Sequence, residues 1–248
     1  MTPRVSIVVP AYDEGTNILP VFDRIIDSVT LPFEVVVVYD RPEDTTALVV
    51  EDFGDPRFRG VLNTRGPGPA RAITSGIEAA IADVIVVTMA DGSDDVSLVD
   101  AMTRLVERGC SVVAASRYMS GGAQVGAPLL KSMMSRSAGL MLWYLARVGT
   151  HDATNSYKAY SKEFIEQVGI ESDGGFEIAI ELVAKARRLR QPIAELPTIW
   201  LERARGESRF RFRAWLPAYL RWFRFAFGPR LPLEHVRPTT WDRPTESR

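Results

Sequence analysis

The chain has 248 residues, 46% of them hydrophobic, with 30 Lys and Arg against 31 Asp and Glu. That length suits one large α/β domain, or a core domain with an appendage. A single cysteine, Cys110, excludes an internal disulfide framework and fits a reducing cytosol, and no run of about 18 uncharged apolar residues predicts a membrane span. Charge is unevenly spread. Residues 203–230 hold eight Arg and one Glu, about +7, so the rest of the chain is acidic. Met1 leads directly into an expected strand, so no signal peptide is expected.

Val5-Ser6-Ile7-Val8-Val9 reads as a first buried strand, stopped by Pro10. Residues 17–28 carry Ile18, Val21, Phe22, Ile25 and Ile26 at helical spacing. A second strand, 34–38, ends on Tyr39-Asp40, and a helix is predicted over 45–52. A short strand at 60–62 precedes Gly66-Pro67-Gly68 and a helix over 70–82. Next come the fourth strand, 84–87, a helix over 96–108 and a fifth strand over 111–115, with Cys110 expected as a buried structural thiol. Beyond Arg117 the pattern changes. A long helix is predicted over 129–148, short helices near 162–167 and over 176–188, and an edge strand over 193–200 interrupted by Pro197. An Arg-rich loop at 203–213 and an aromatic helix over 215–227 follow, and the tail 229–248 reads as poorly ordered.

This alternation predicts an α/β doubly wound, mainly parallel sheet with right-handed crossovers. Parallel strands share one carboxyl edge, so Tyr12, Asp13, Glu14, Asp40, Arg65, the run Asp91-Gly92-Ser93-Asp94-Asp95, Ser116 and Arg117 are expected to converge there. Three carboxylates within five residues, just after a buried strand, are hard oxygen ligands suited to Mg2+ or Mn2+ carrying a diphosphate. Asp and Ser also cap helices, which is the plainer reading. Gly66-Pro67-Gly68 could offer amides to a phosphate, but no Gly-Lys-Ser/Thr follows it, and the first turn lacks Gly-x-Gly-x-x-Gly.

Several separated segments together carry a resemblance. Ser6-Ile7-Val8-Val9-Pro10-Ala11-Tyr12-Asp13-Glu14 resembles the opening strand of the family 2 inverting glycosyltransferases of GT-A fold. Ser116-Arg117-Tyr118 with Gly121-Gly122, and the run Asp152-Ala153-Thr154-Asn155-Ser156-Tyr157-Lys158-Ala159-Tyr160, are similar to polyprenyl- or dolichyl-phosphate mannose (or glucose) synthases. So are Glu195-Leu196-Pro197 and Arg203-x-x-Gly206-x-Ser208. The resemblance covers roughly residues 5–227. It implies one GT-A domain over 1–228, with a Rossmann-like nucleotide half to about residue 118, an acceptor half from 119 and C-terminal amphipathic helices.

The activity implied is inverting transfer of a hexose from a nucleotide diphosphate sugar (GDP-mannose or a UDP-hexose) to a polyprenyl phosphate. The resemblance places Pro10, Ala11, Tyr12, Glu14, Asp40, Ala90 and Asp91 at the donor, and Mg2+ or Mn2+ on Asp91, Ser93 and Asp94. Arg117, Arg203, Arg205 and Arg209 would meet the acceptor phosphate. Asp91, Asp152 and Arg117 are the catalytic candidates, Asp152 as an orienting group or as the base a hydroxyl acceptor would need. Two motifs depart from the family pattern: Tyr39-Asp40-Arg41-Pro42 stands for Asp-Asp-Gly-Ser, and Met89-Ala90-Asp91 for Asp-x-Asp. The amphipathic stretches 129–148 and 215–227, with Trp215, Tyr219, Trp222 and Phe223, suit an interfacial position, hence a peripheral protein on the cytoplasmic membrane face. Alternatives are a soluble transferase acting on a small molecule or glycan and a non-catalytic nucleotide-sugar-binding protein; no nucleic acid partner is expected.

Overall fold

The structure, a computed structural model, describes residues 2–127, 129–202, 212–236 and 238, and the side chains of all of these except 129–131 and 212–215. Valine-rich segments, with Ser6 and Glu34 buried among the apolar residues, form strands buried on both faces, since helices cover both sides of a parallel sheet. These are β1 (Val5–Pro10), β2 (Phe33–Tyr39), β4 (Val84–Val87) and β5 (Val112–Ser116). With β3 (Phe58–Leu62), β7 (Lys158–Ser161) and β8 (Ile193–Pro197) they make a seven-stranded sheet in the order β3-β2-β1-β4-β7-β5-β8. All neighbours are parallel except β7, which runs antiparallel between β4 and β5, with Val86 opposite Ala159 and Val113 opposite Ala159 on the other side.

The strand β7 is absent from the sequence reading, because Lys-Ala-Tyr-Ser shows no strand pattern by itself. Its insertion interleaves the two expected halves: β7 and β8, both beyond residue 118, pair with strands of the first half. The strand expected over 193–200 divides after Pro197 into β8 and β9 (Ile199–Leu201), and β9 pairs in parallel with β6 (Ala123–Val125), a strand with no counterpart in the sequence reading, outside the main sheet.

One face of the sheet is covered by α1 (Leu19–Ser28), α2 (Thr45–Asp52) and α4 (Val99–Glu107), which pack Phe22, Ile25, Val50, Val99 and Met102 onto Ile7, Val9, Val35 and Val37. Alternate strand residues Val8, Val36 and Val38 point to the other face. There they meet α3 (Pro69–Ala79), in a layer shared with α6 (Lys162–Val168) and α7 (Ile178–Leu189). Gly76 sits in mid-helix for a packing reason: a Cβ there would lie 2.4 Å from Val8 Cγ1 and 2.9 Å from Val38 Cγ2.

Three expectations are corrected. The long helix breaks: α5 (Leu129–Met141) passes into a π-helical turn, Leu142–Ala146, closed by Arg147 in the left-handed region. The final helix, α8 (Phe212–Ala226), turns Trp222 inward until 2% of it is exposed, with Tyr219 and Phe223 half-buried beside it. These aromatics contact α7 and the core, so Trp222 does not sit at a headgroup boundary. Finally, of the tail 229–248 expected to be loose, the part to residue 236 is docked: Leu231 N–H donates to Arg188 O at 3.0 Å and Val236 is buried, while 237 and 239–248 lie outside the described residues. Cys110 is half-buried just before β5, and burial raises its thiol pKa.

Candidate active site

The first loop at the carboxyl edge is held by a residue that sequence reading passed over. Asp44 caps α2 by accepting from Thr46 N–H at 2.8 Å and also takes the Asp13 N–H, while Thr46 Oγ1 accepts from Glu14 N–H at 3.1 Å. Asp13 adopts φ +50° there and pairs with Arg41, whose guanidinium lies 5.3 Å from the centroid of the exposed Tyr12 ring. Pro10 ends β1, and Ala11 continues the edge by donating to Val38 O at 2.8 Å.

Asp40 follows β2 and fastens the next loop. Its Oδ1 accepts from Asn63 Nδ2 at 2.7 Å and its Oδ2 from Gly68 N–H at 3.1 Å. Asn63 also donates to Gly66 O and accepts from Ser75, so the glycine loop is pinned from both sides. Gly68 has φ +128° and its Cβ position lies 3.0 Å from Gly174 O, which leaves no room for a side chain.

After β4 the three acidic residues take three different tasks. Asp91 Oδ1 accepts the Ser93 N–H at 3.1 Å, closing a tight turn next to buried Ala90. Asp95 caps the following turn through Ser97 N–H at 3.2 Å. Asp94 points into the protein, where its Oδ2 accepts from Thr88 Oγ1 at 3.1 Å and from Met89 N–H at 3.0 Å. Burial pushes its pKa up to about 6, against those hydrogen bonds.

The expected cation set of Asp91, Ser93 and Asp94 is therefore not assembled. Ser93 and Asp94 are buried, Met89 offers only a thioether, and among the described residues no three His, Cys, Asp or Glu side chains converge as a cation site. The residues present do not fit a resident divalent ion.

Beyond β5, Arg117 meets Asp152 in a buried two-pronged ion pair: Nε to Oδ2 at 2.6 Å and a terminal nitrogen to Oδ1 at 2.9 Å. Asp152 Oδ2 also accepts the Arg117 N–H at 3.1 Å, and Oδ1 accepts from Thr154 Oγ1 and Asn155 N–H, both at 3.2 Å. Burial alone would raise the Asp152 pKa, but the charge and hydrogen bonds of Arg117 hold it below the usual carboxylate range. The arginine that Asp152 holds is Arg117. Its oxygens are committed, so the expectation that it serves as a general base is corrected.

Lys158, also passed over in the sequence, completes this corner. Fully buried, its Nζ donates to the carbonyls of Asp152 at 3.2 Å, Ala153 at 3.3 Å and Asn155, and burial drives its pKa down to about 7 although Asp152 opposes this. Tyr118 joins the corner to α5 through Gln124 and Ser135, and Gly139 of α5 lies so close that a Cβ would come within 2.3 Å of His151 O. Arg203, Arg205 and Arg209 lie outside the described residues.

A mainly parallel sheet flanked by helices, with Tyr12, Asp40, Asp91 and Arg117 at the ends of its strands, defines an α/β protein with the GT-A type of fold. The chain belongs to glycosyl transferase family 2, whose model matches residues 6–169. It is 27% identical to a dolichol-phosphate mannosyltransferase of Pyrococcus furiosus, over 84% of this chain and 59% of that protein. It is equally identical to a polyprenol monophosphomannose synthase of Mycolicibacterium smegmatis, over 84% of this chain and 81% of that one. Among solved structures, glucosyl-3-phosphoglycerate synthase from Mycobacterium tuberculosis, with Mn2+, UDP and glucosyl-3-phosphoglycerate, superposes with a TM-score of 0.68. That likeness covers 92% of this chain and 81% of the other at 19% identity, and speaks for the GT-A type of fold.

Proposed function

We propose that this chain transfers a hexose from a nucleotide diphosphate sugar to the phosphate of a polyprenyl phosphate, with inversion. The observation that carries the reading is the commitment of Asp152 to Arg117. A hydroxyl acceptor needs a base to take its proton, and the carboxylate best placed in the sequence for that task is occupied and held ionised by its partner. A phosphate acceptor is already anionic near neutral pH. It needs a fixed cation to meet it, and Arg117 is held by three hydrogen bonds to Asp152, which Thr154 and Asn155 hold in turn.

In the step proposed, an acceptor phosphate oxygen attacks the anomeric carbon from the face opposite the leaving group. The bond from that carbon to the nucleoside diphosphate breaks, and no proton need move. Tyr12 and Asp40 stand on the donor side of the edge, Asp91 between them and Arg117. Arg117 supplies positive charge toward the acceptor, the task that the resemblance also gives to Arg203, Arg205 and Arg209. Preorganised charge of this kind needs no rearrangement as the reaction proceeds.

The lipid nature of the acceptor has separate support. Met133, Met134, Met141, Tyr144 and Leu145 are exposed on α5 and the π-turn, and no acidic residue lies between Glu107 and Asp152 or between Glu207 and Glu234. Apolar side chains with unopposed Lys and Arg suit an anionic membrane surface. No described helix is long and apolar enough to cross a membrane. One radiolabel assay tests the reading, with GDP-mannose and UDP-glucose each offered polyprenyl phosphate, the corresponding polyprenol and 3-phosphoglycerate. Product is expected with polyprenyl phosphate alone; equal transfer to polyprenol or 3-phosphoglycerate overturns the proposal.

A further inference from the structure

We propose that His151 and Glu195 form a positioning dyad for the transfer step: they hold the turn that carries Asp152, and through it they aim Arg117. The inference rests on the reading of Arg117 as the cation that meets the acceptor phosphate. Both residues act through Asp152.

One carboxylate of β8 gathers three polar groups from the two residues before Asp152. Glu195 Oε2 accepts the His151 N–H at 2.8 Å and the Thr150 hydroxyl at 3.0 Å, and Glu195 Oε1 lies 2.5 Å from His151 Nδ1. Because a carboxylate oxygen accepts, that ring nitrogen carries the proton. Thr150 Oγ1 in turn accepts the Asp152 N–H at 3.0 Å, and Thr150 and Asp152 are both buried. Glu195 stands in register with Ala114 of β5, the strand that ends just before Arg117. The arginine and the turn that must meet it are therefore fixed to one pair of strands.

The imidazole is gripped from another side as well. Trp143, in the π-turn, stacks on it with ring centroids 4.0 Å apart and planes 23° from parallel. A single π-helical turn is rare and frequently marks a functional place. Here Arg147 closes it in the left-handed region at φ +55°, and Arg187 Nε donates to Ala146 O at 2.7 Å. Tyr144 and Leu145 of the same turn are exposed, so Trp143 meets His151 while its neighbours face outward.

The backbone amide of His151 and the Thr150 hydroxyl would anchor the turn by themselves, both on Glu195 Oε2. The imidazole adds the second carboxylate oxygen, so the turn can neither pivot about Oε2 nor slide along β8. Such control matters for a group that must meet a reacting phosphate, because a misplacement of about 1 Å can cost about 10²-fold in rate.

His151→Ala, His151→Asn and Trp143→Leu test this in the full chain. Asparagine places an amide N–H close to where the Nδ1–H stands, so it keeps the contact to Glu195 Oε1 that alanine loses. Three measurements are combined: transfer to polyprenyl phosphate, calorimetric titration with GDP and with UDP, and nuclear magnetic resonance of the Arg117 Nε–H, assigned by its loss in Arg117→Lys. His151→Ala should lower kcat by about 10–100-fold with nucleotide affinity unchanged, and should shift and broaden the Arg117 signal. His151→Asn should restore most of the rate and return the signal toward its wild-type position. Trp143→Leu, which leaves the hydrogen bonds of His151 in place, should give a smaller loss of the same kind.

A folded His151→Ala that transfers at the wild-type rate overturns the proposal, as does an Arg117 signal that stays in place. A loss that His151→Asn fails to restore overturns it too. If His151→Ala does not fold, Trp143→Leu carries the comparison, and an unchanged rate and signal there overturn the proposal. If the unmodified chain transfers to no polyprenyl phosphate, the acceptor reading fails by itself. The Arg117 signal in His151→Ala and Trp143→Leu then still decides whether the dyad aims this arginine.

Discussion

Replacing Asp152 by Asn tests the central corner of the site most directly. The carboxylate makes five contacts, two through Oδ2 to Arg117 and three through Oδ1 to Arg117, Thr154 and Asn155. An amide keeps one acceptor oxygen and turns the other position into a donor. If its nitrogen takes the Oδ2 place, it faces the Arg117 N–H and Nε–H donors; if it takes the Oδ1 place, it faces three donors. Either way the buried guanidinium loses its counter-charge. Breaking a buried pair by removing one partner typically costs about 3–5 kcal/mol, a large part of the stability of most domains. A displaced Arg117 should lower turnover by about 10²–10³, the usual loss for one preorganised charge stabiliser. Denaturant unfolding, far-ultraviolet circular dichroism to confirm that the variant is folded, nucleotide binding and the transfer assay together separate the two effects. Donor binding should change little. The same pair gives the wild type stability present above the unfolded carboxylate pKa, lost as pH falls through the depressed folded value, and Asp152→Asn should lack that loss. A variant as stable and as active as the wild type would refute the assignment of Arg117 and Asp152 as one unit.

Two further outcomes concern buried charges that the fold tolerates at a cost. Asp94 has a folded pKa near 6, so the folded state binds more protons than the unfolded between about 4 and 6, and stability should fall as pH rises through that window. Asp94→Asn keeps an oxygen for Thr88 and Met89, and urea midpoints across that range should lose the slope. Lys158 has a folded pKa near 7, so stability should rise with pH from about 7 to 10. Lys158→Met should abolish this rise in thermal melts and lower transfer with donor affinity nearly kept, because the carbonyls of residues 152, 153 and 155 lose the donor that sets Asp152 under Arg117.

The nucleotide half was legible because its signals are local. Four-residue runs such as Val84-Ile85-Val86-Val87 read as buried strands, and the helix over 45–52 has the span its sequence predicts, although its cap, Asp44, came only with the structure. Convergence of Tyr12, Asp40, Asp91 and Arg117 also followed, because parallel strands must share an edge. Tertiary structure decided what each of these side chains is engaged with. Nothing in Asp91-Gly92-Ser93-Asp94-Asp95 says that the second of its three carboxylates turns inward; the donors Thr88 Oγ1 and Met89 N–H just after β4, which need an acceptor, decide that. Likewise, Lys158 looks like a surface lysine in a polar run. Only the antiparallel insertion of β7 between β4 and β5 carries it into the interior, beneath the turn that holds Asp152. The aromatic helix α8 read as interfacial because its rings are large and its charges basic, which is equally the pattern of a helix closing a core. Trp222 was assigned to the core by contact with α7, which lies some 35 residues away in sequence and leaves no trace in the local pattern. Periodicity reports that a face is apolar; what covers it depends on distant segments, and these meet only when the chain has folded.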